Sequence, residues 1–219
     1  MEMKKTAMTL LALTLMMPAM AQRYGQEYGK TASSLFTEDH SIYYGLRLGL
    51  ALATVNSDDA RLDGGSCQAG LNLGGVIGFQ LSPVYPVYLE SGLTYTEKGG
   101  KGYVEGKKFT YSLNYLEMPI IAKYRYELDS DISVQPFAGG YVAMGVGGKV
   151  KDYGERTTTS SFSSNFFERF DGGLRLGCGF EYELIYAEAA YDLGLTNISH
   201  DDFESSRNRC FYINIGVNF

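Results

Sequence analysis

Residues 209–219 read Arg-Cys-Phe-Tyr-Ile-Asn-Ile-Gly-Val-Asn-Phe, and every second one is large and apolar: Phe211, Ile213, Ile215, Val217 and Phe219. Tyr212, Asn214, Gly216 and Asn218 fall between them. An unbroken period of two predicts a strand with one oily and one wet face. In a water-soluble sheet such a terminal strand is an exposed edge that invites aggregation. A closed barrel in a bilayer has no edge and turns its oily faces to lipid. The expectation is a membrane barrel, with these five apolar residues as its barrel-assembly signal.

The pattern recurs upstream. Strands are predicted at residues 41–54, 68–81, 87–98, 111–126, 133–147, 169–182 and 185–195, which makes eight with the last. In the first, Tyr44, Leu46, Leu48 and Leu50 alternate with Tyr43, Gly45, Arg47 and Gly49. An arginine in mid-strand has to point away from lipid, so it assigns the inner face. Pro119 interrupts the fourth strand and predicts a bulge or local twist there. The connections alternate in length: 55–67 long, 82–86 short, 99–110 long, 127–132 short, 148–168 long, 183–184 short and 196–208 long. That alternation is the habit of outer-membrane barrels. The predicted fold is all-β: an eight-stranded antiparallel transmembrane β-barrel with short periplasmic turns and longer extracellular loops. Its 27 glycines, 18 tyrosines and 12 phenylalanines, with no Trp, argue for strands over a helical bundle.

Residues 1–21 read as a cleaved signal peptide, with Lys4 and Lys5, an apolar run at 8–17 and Ala19-Met20-Ala21 before Gln22. Residues 22–40 are expected to be a periplasmic lead-in and 41–219 the barrel domain. The address is the outer membrane of a Gram-negative cell. Outer-membrane lipid and, during insertion, the barrel-assembly machinery are the expected partners. Net charge is −6 with both signs mixed, and no basic stripe suggests nucleic acid.

The segments Asn114-Tyr-Leu-Glu-Met-Pro-Ile-Ile-Ala-Lys-Tyr124, Pro136-Phe-Ala-Gly-Gly140 and Tyr191-Asp-Leu-Gly-Leu-Thr-Asn-Ile198, with Phe219, carry a resemblance. They resemble the PorT-like outer-membrane β-barrel family of the Bacteroidetes over essentially the whole mature chain. The resemblance implies a barrel fold and, as one possibility, secretion-associated complexes. The leading expectation is a non-enzymatic protein, structural or accessory to an envelope or secretion complex. A narrow channel or small-molecule transport barrel is one alternative, and a lipid-modifying outer-membrane enzyme another. A soluble barrel of lipocalin type would need Arg47, Asp171, Arg175 and Glu181 outside.

Several groups invite chemistry. Arg47, Glu90, Glu117, Lys123, Arg125, Asp171, Arg175, Glu181, Glu188 and Asp192 share the inward parity and predict a polar network in a filled lumen. No catalytic, cofactor or metal residues are assigned. His40 and His200 are the only histidines, too few for a convincing base or metal site. The run Gly173-Leu-Arg-Leu-Gly-Cys-Gly179 lacks the helix that would hold a phosphate. Cys67 and Cys210 sit at the outer starts of their strands as a possible disulfide, whereas Cys178 has outward parity. Phe109, Tyr111, Phe162, Phe166 and Phe167 are expected to form an interfacial aromatic belt, and residues 148–168 to be the foremost partner-contact loop.

Overall fold

The computed structural model describes residues 42–57, 66–104, 107–129, 131–153, 156–162, 167–199 and 205–219. The expected signal peptide and lead-in lie outside them. In order, the strands are β1 (Ile42–Ser57), β2 (Ser66–Gln80), β3 (Val87–Val104), β4 (Lys107–Tyr124), β5 (Tyr126–Asp129) and β6 (Ile132–Gly147). They continue with β7 (Lys149–Tyr153), β8 (Arg156–Ser160), β9 (Phe170–Tyr182), β10 (Ile185–Gly194) and β11 (Ser206–Asn218).

Eight of these form a closed antiparallel barrel in the ring order β1, β2, β3, β4, β6, β9, β10, β11. The ring closes where β11 pairs with β1, from Gly45 opposite Asn218 to Ser57 opposite Ser206. β5 prolongs β4 along β6, while β7 and β8 form a hairpin that continues the sheet beyond β4. The short connections and both ends of the described barrel lie together, here called the turn end. The other is the loop end.

Alternation decides which face is which. Leu48, Leu50, Leu73, Leu93, Ile120 and Met144 are exposed on the outer wall, as are Leu174, Leu176, Ile213 and Ile215. Tyr44, Phe79, Tyr124, Tyr182 and Phe219 gather on the outside towards the turn end, with Phe170 and Phe211 nearer the loop end. Rings flanking an apolar band match the two interfaces of a bilayer. On β11 the span from Phe211 to Phe219 is roughly 26 Å along the strand. With a strand tilt of about 40° that becomes roughly 20 Å of membrane, close to the usual apolar height.

Three local expectations change. Residues 99–110, expected as a loop, are mostly strand, because β3 runs on to Val104 and β4 begins at Lys107. The glycine-rich sequence there looks like a turn, but Gly99 takes φ +144° within the ladder, a conformation open to glycine. Residues 148–168 likewise contain the β7–β8 hairpin rather than only loop. Pro119 makes no bulge: the β3–β4 register is the same on either side, Ser91 opposite Ile120 and Thr94 opposite Glu117. By that register Gly92 falls opposite the proline, and the Ser91 hydroxyl donates to the Pro119 carbonyl at 2.8 Å. The shift in β4 instead lies between Asn114 and Tyr115.

Neighbouring glycines of β2 test this wall. A Cβ on Gly74 would lie 2.5 Å from the Leu93 carbonyl oxygen and 2.7 Å from the Thr94 Cα, both backbone. A Cβ on Gly75 would meet only ordinary contacts at 3.8 and 3.9 Å. Gly74→Ala is expected to destabilise the barrel by about 1–3 kcal/mol, an overpacking cost, and Gly75→Ala by almost nothing. Urea titration of the folded, heat-modifiable gel band measures both; equal midpoints would contradict the packing described.

Candidate functional site

The interior is built in layers, each fixed by the parity of the strands that supply it. At the loop end the layer is apolar. Val55, Phe109, Tyr111, Leu113, Tyr115, Val150, Phe162, Phe167 and Ile198 belong to one buried cluster. Tyr111 stacks on Phe167 at 5.2 Å, and Tyr115 meets Phe162 edge-on at 5.6 Å. A bridge between Phe167 and Ser199 ties two of the connections together here. Phe109, Tyr111, Phe162 and Phe167 therefore form a cap inside the barrel and not the expected interfacial belt. Water exclusion draws them inward because the strand extensions give them a second surface to pack on. Phe166 lies outside the described residues.

Below the cap is a buried ionic cluster centred on Lys98, which is wholly inaccessible. Its ammonium lies 2.8 Å from Glu117, 3.4 Å from Asp171 and 3.3 Å from Asp192. Arg175 grips Asp192 with two donors, Nε at 2.6 Å and Nη2 at 2.8 Å, and Nη2 also donates to Glu117. Neutral groups add hydrogen bonds to the cluster. Tyr212 donates to Asp192 at 2.9 Å, and Asn208 and Thr196 donate to Asp171 at 2.9 and 3.1 Å. Lys98 also sits 4.3 Å from the ring centre of Tyr141. Paired ions with filled hydrogen-bond shells are the form in which charge survives burial.

A second cluster lies towards the turn end. Lys123 donates to Glu90 at 2.7 Å and to the Tyr186 hydroxyl at 3.0 Å. Tyr43 also donates to Glu90, and Arg47 lies 3.6 Å from that carboxylate with its guanidinium 3.9 Å from the Tyr186 ring centre. Tyr186 in turn covers Gly179 of β9, whose missing side chain leaves the ring its space. Glu188 accepts from Asn214 at 2.8 Å. Glu117 and Lys123 are six residues apart on β4, so these two positions lie roughly 20 Å apart along the strand.

At the turn end itself, Arg125 pairs with Glu181, which also accepts from Asn218. A cavity of about 210 Å³ lies beside them, with Tyr43, Tyr88, Glu183 and Phe219 among its walls.

The structure thus places Arg47, Glu90, Glu117, Lys123, Asp171, Arg175, Glu181 and Asp192 as buried residues of the inner wall. Arg125 and Glu188 are half-buried. Lys98 was missed by sequence reasoning because the predicted third strand ends on it. It nevertheless shares the parity of Glu90, Thr94 and Thr96, which was the available signal. The interior tyrosines Tyr115, Tyr141 and Tyr212 were also missed as members of the network; a tyrosine at a wet parity is the clue to them.

The possible Cys67–Cys210 disulfide is overturned. Cys210 is buried in the interior, opposite Ala53 and Asp192, whereas Cys67 is exposed, and both thiols are free. Ala53 pairs on its other side with Gln68, so Cys67 is one residue out of step. A one-residue step in a strand moves a side chain through the wall. Cys178 is exposed on the outer face. His40 and His200, the residues weighed for lipid chemistry, lie outside the described residues, and among the described residues no cluster of three metal-binding side chains occurs.

Residues 20–200 match the family described as outer membrane protein beta-barrel domain. The chain belongs to that family. It is accordingly an outer-membrane β-barrel protein. Among solved structures, Neisserial surface protein A is 16% identical, with 83% of this chain and 100% of that one covered at a TM-score of 0.48. OprG from Pseudomonas aeruginosa is 14% identical over 83% of this chain and 97% of its own, TM-score 0.48. Ail, the attachment invasion locus protein of Yersinia pestis, is 15% identical over 81% and 98%, TM-score 0.41. No curated protein matches the chain.

Breaking a buried ion cluster from one side leaves the partners uncompensated. Arg175→Met removes the donors held by Asp192 and Glu117 and is expected to cost about 3–5 kcal/mol. The loss should show in the urea midpoint of the purified barrel. A variant as stable as the parent would mean that the cluster is not a structural core.

Proposed function

We propose that this protein is a non-enzymatic outer-membrane barrel, structural or accessory to an envelope or secretion complex, with its turn end facing the periplasm. The observation that carries this reading is the double closure of the interior. An apolar cap at the loop end lies above an ionic cluster in which Lys98, Glu117, Asp171 and Asp192 are all inaccessible. A filled lumen leaves the ends and the outer surface as the places where a partner can act. The resemblance to PorT-like barrels adds secretion as the process. On this reading residues 1–21 direct export, and Phe211, Ile213, Ile215, Val217 and Phe219 serve as the recognition face during barrel assembly.

Cross-linking of tagged protein in native membranes, followed by mass spectrometry, tests it. Envelope or secretion proteins are expected in defined proportion, and the protein's own first peptide should begin at Gln22. Recovery of abundant background alone would overturn the accessory role.

The channel alternative makes the opposite electrical prediction. Purified barrel in a planar lipid bilayer is expected to give no discrete conductance steps, because the cap and the ion pairs leave no continuous water path. Reproducible steps would move the assignment to a channel.

A further inference from the structure

Glu183 is the first residue of the two-residue turn between β9 and β10, and its φ is +52°. Glycine serves such a position without strain, since a side chain there crowds the backbone. Glutamate stands there instead, exposed and lining the turn-end cavity. A strained backbone that holds a chemically active group beside a cavity marks a site worth testing.

The cavity's other walls state what would fit. Tyr43 and Tyr88 meet edge to face, with ring centres 5.7 Å apart, and both line the cavity. Glu181 is buried and already engaged by Arg125, which shows that a planar cation is accommodated at this wall. Two carboxylates against one guanidinium leave the cavity with an excess of negative charge. Its volume of about 210 Å³ is smaller than the roughly 300–1,000 Å³ of a drug-sized site. One side-chain-sized group fills it. Aromatic faces combined with carboxylates attract cations.

We propose that the turn-end cavity binds a single alkylammonium group, held between the Tyr43–Tyr88 pair and the Glu183 carboxylate. The amine would come either from a lysine side chain of a partner polypeptide or from a free small amine. This assignment stands on the cavity and is independent of the accessory role proposed above.

The test is NMR titration of the full chain in non-ionic maltoside micelles. The probes are 1,5-diaminopentane and acetyl-lysine methylamide, with glutarate as the anionic control. Saturable shifts are expected at Tyr43, Tyr88 and Glu183 with an amine and none with glutarate. Binding by the lysine probe alone identifies a polypeptide source, by the diamine alone a free amine, and by both the shared chemistry. Glu183→Gln should weaken binding about five-fold, the scale of one partly exposed charge contact. Glu183→Gly should raise the unfolding midpoint while binding still falls, which separates a ligand-binding carboxylate from a mere turn residue. Absence of saturable shifts with either amine would overturn the proposal. So would equal shifts with glutarate, or parental affinity in both Glu183→Gln and Tyr88→Ala.

Discussion

Everything in this barrel depends on the ladder between β1 and β11. Inside a bilayer a backbone N–H or C=O has no water to turn to, so each has to find its partner in the protein. An open sheet would leave two rows of such groups bare, and closure removes both. The closing ladder also sets the register. It brings Arg47 opposite Gly216 and Leu48 opposite Ile215, so that polar residues of both strands enter the lumen and apolar ones meet lipid. A slip by one residue would reverse every one of those assignments. Closure and the sorting of faces are therefore one constraint.

The interior answers a different problem. A barrel of eight strands is just wide enough for side chains to fill it, and the residues available at inward parity here include both signs of charge. They do not pair at random. Lys98 and Arg175 share Glu117 and Asp192 nearer the loop end, where Lys98 also pairs with Asp171, and Lys123 and Arg47 share Glu90 nearer the turn end. Tyrosines supply hydroxyls and ring faces to the ions and fill space that charged side chains alone would leave empty. Such clusters hold strands together that are far apart in sequence. Arg175 of β9 reaches Glu117 of β4, and Lys98 of β3 reaches Asp171 of β9 and Asp192 of β10, contacts made across the lumen and not along a ladder.

The two ends differ as a consequence. Where β4 and β7 run beyond the ring, their inward residues become apolar, and with Phe162, Phe167 and Ile198 they fold into a cap. The turns at the other end are too short to cover the mouth, so a small cavity remains, with tyrosines and carboxylates in its walls.

Much of this was legible beforehand. The period of two, with an arginine or carboxylate marking the inner parity, determined the strand number, the antiparallel order and which residues face lipid, because alternation is a local property of an extended chain. The ten charged residues expected in the lumen were read by the same rule. What local pattern could not supply was where strands stop, since the glycines at 99 and 100 look like a turn but sit within a ladder. Nor could it supply contacts across the lumen: the place of Lys98, the burial of Phe109, Tyr111, Phe162 and Phe167, and the separation of Cys67 from Cys210 by the wall. Those were decided by tertiary structure, because they depend on how far neighbouring strands extend and how they are staggered. The sequence alone determined the wall; closure of the ring decided what the wall encloses.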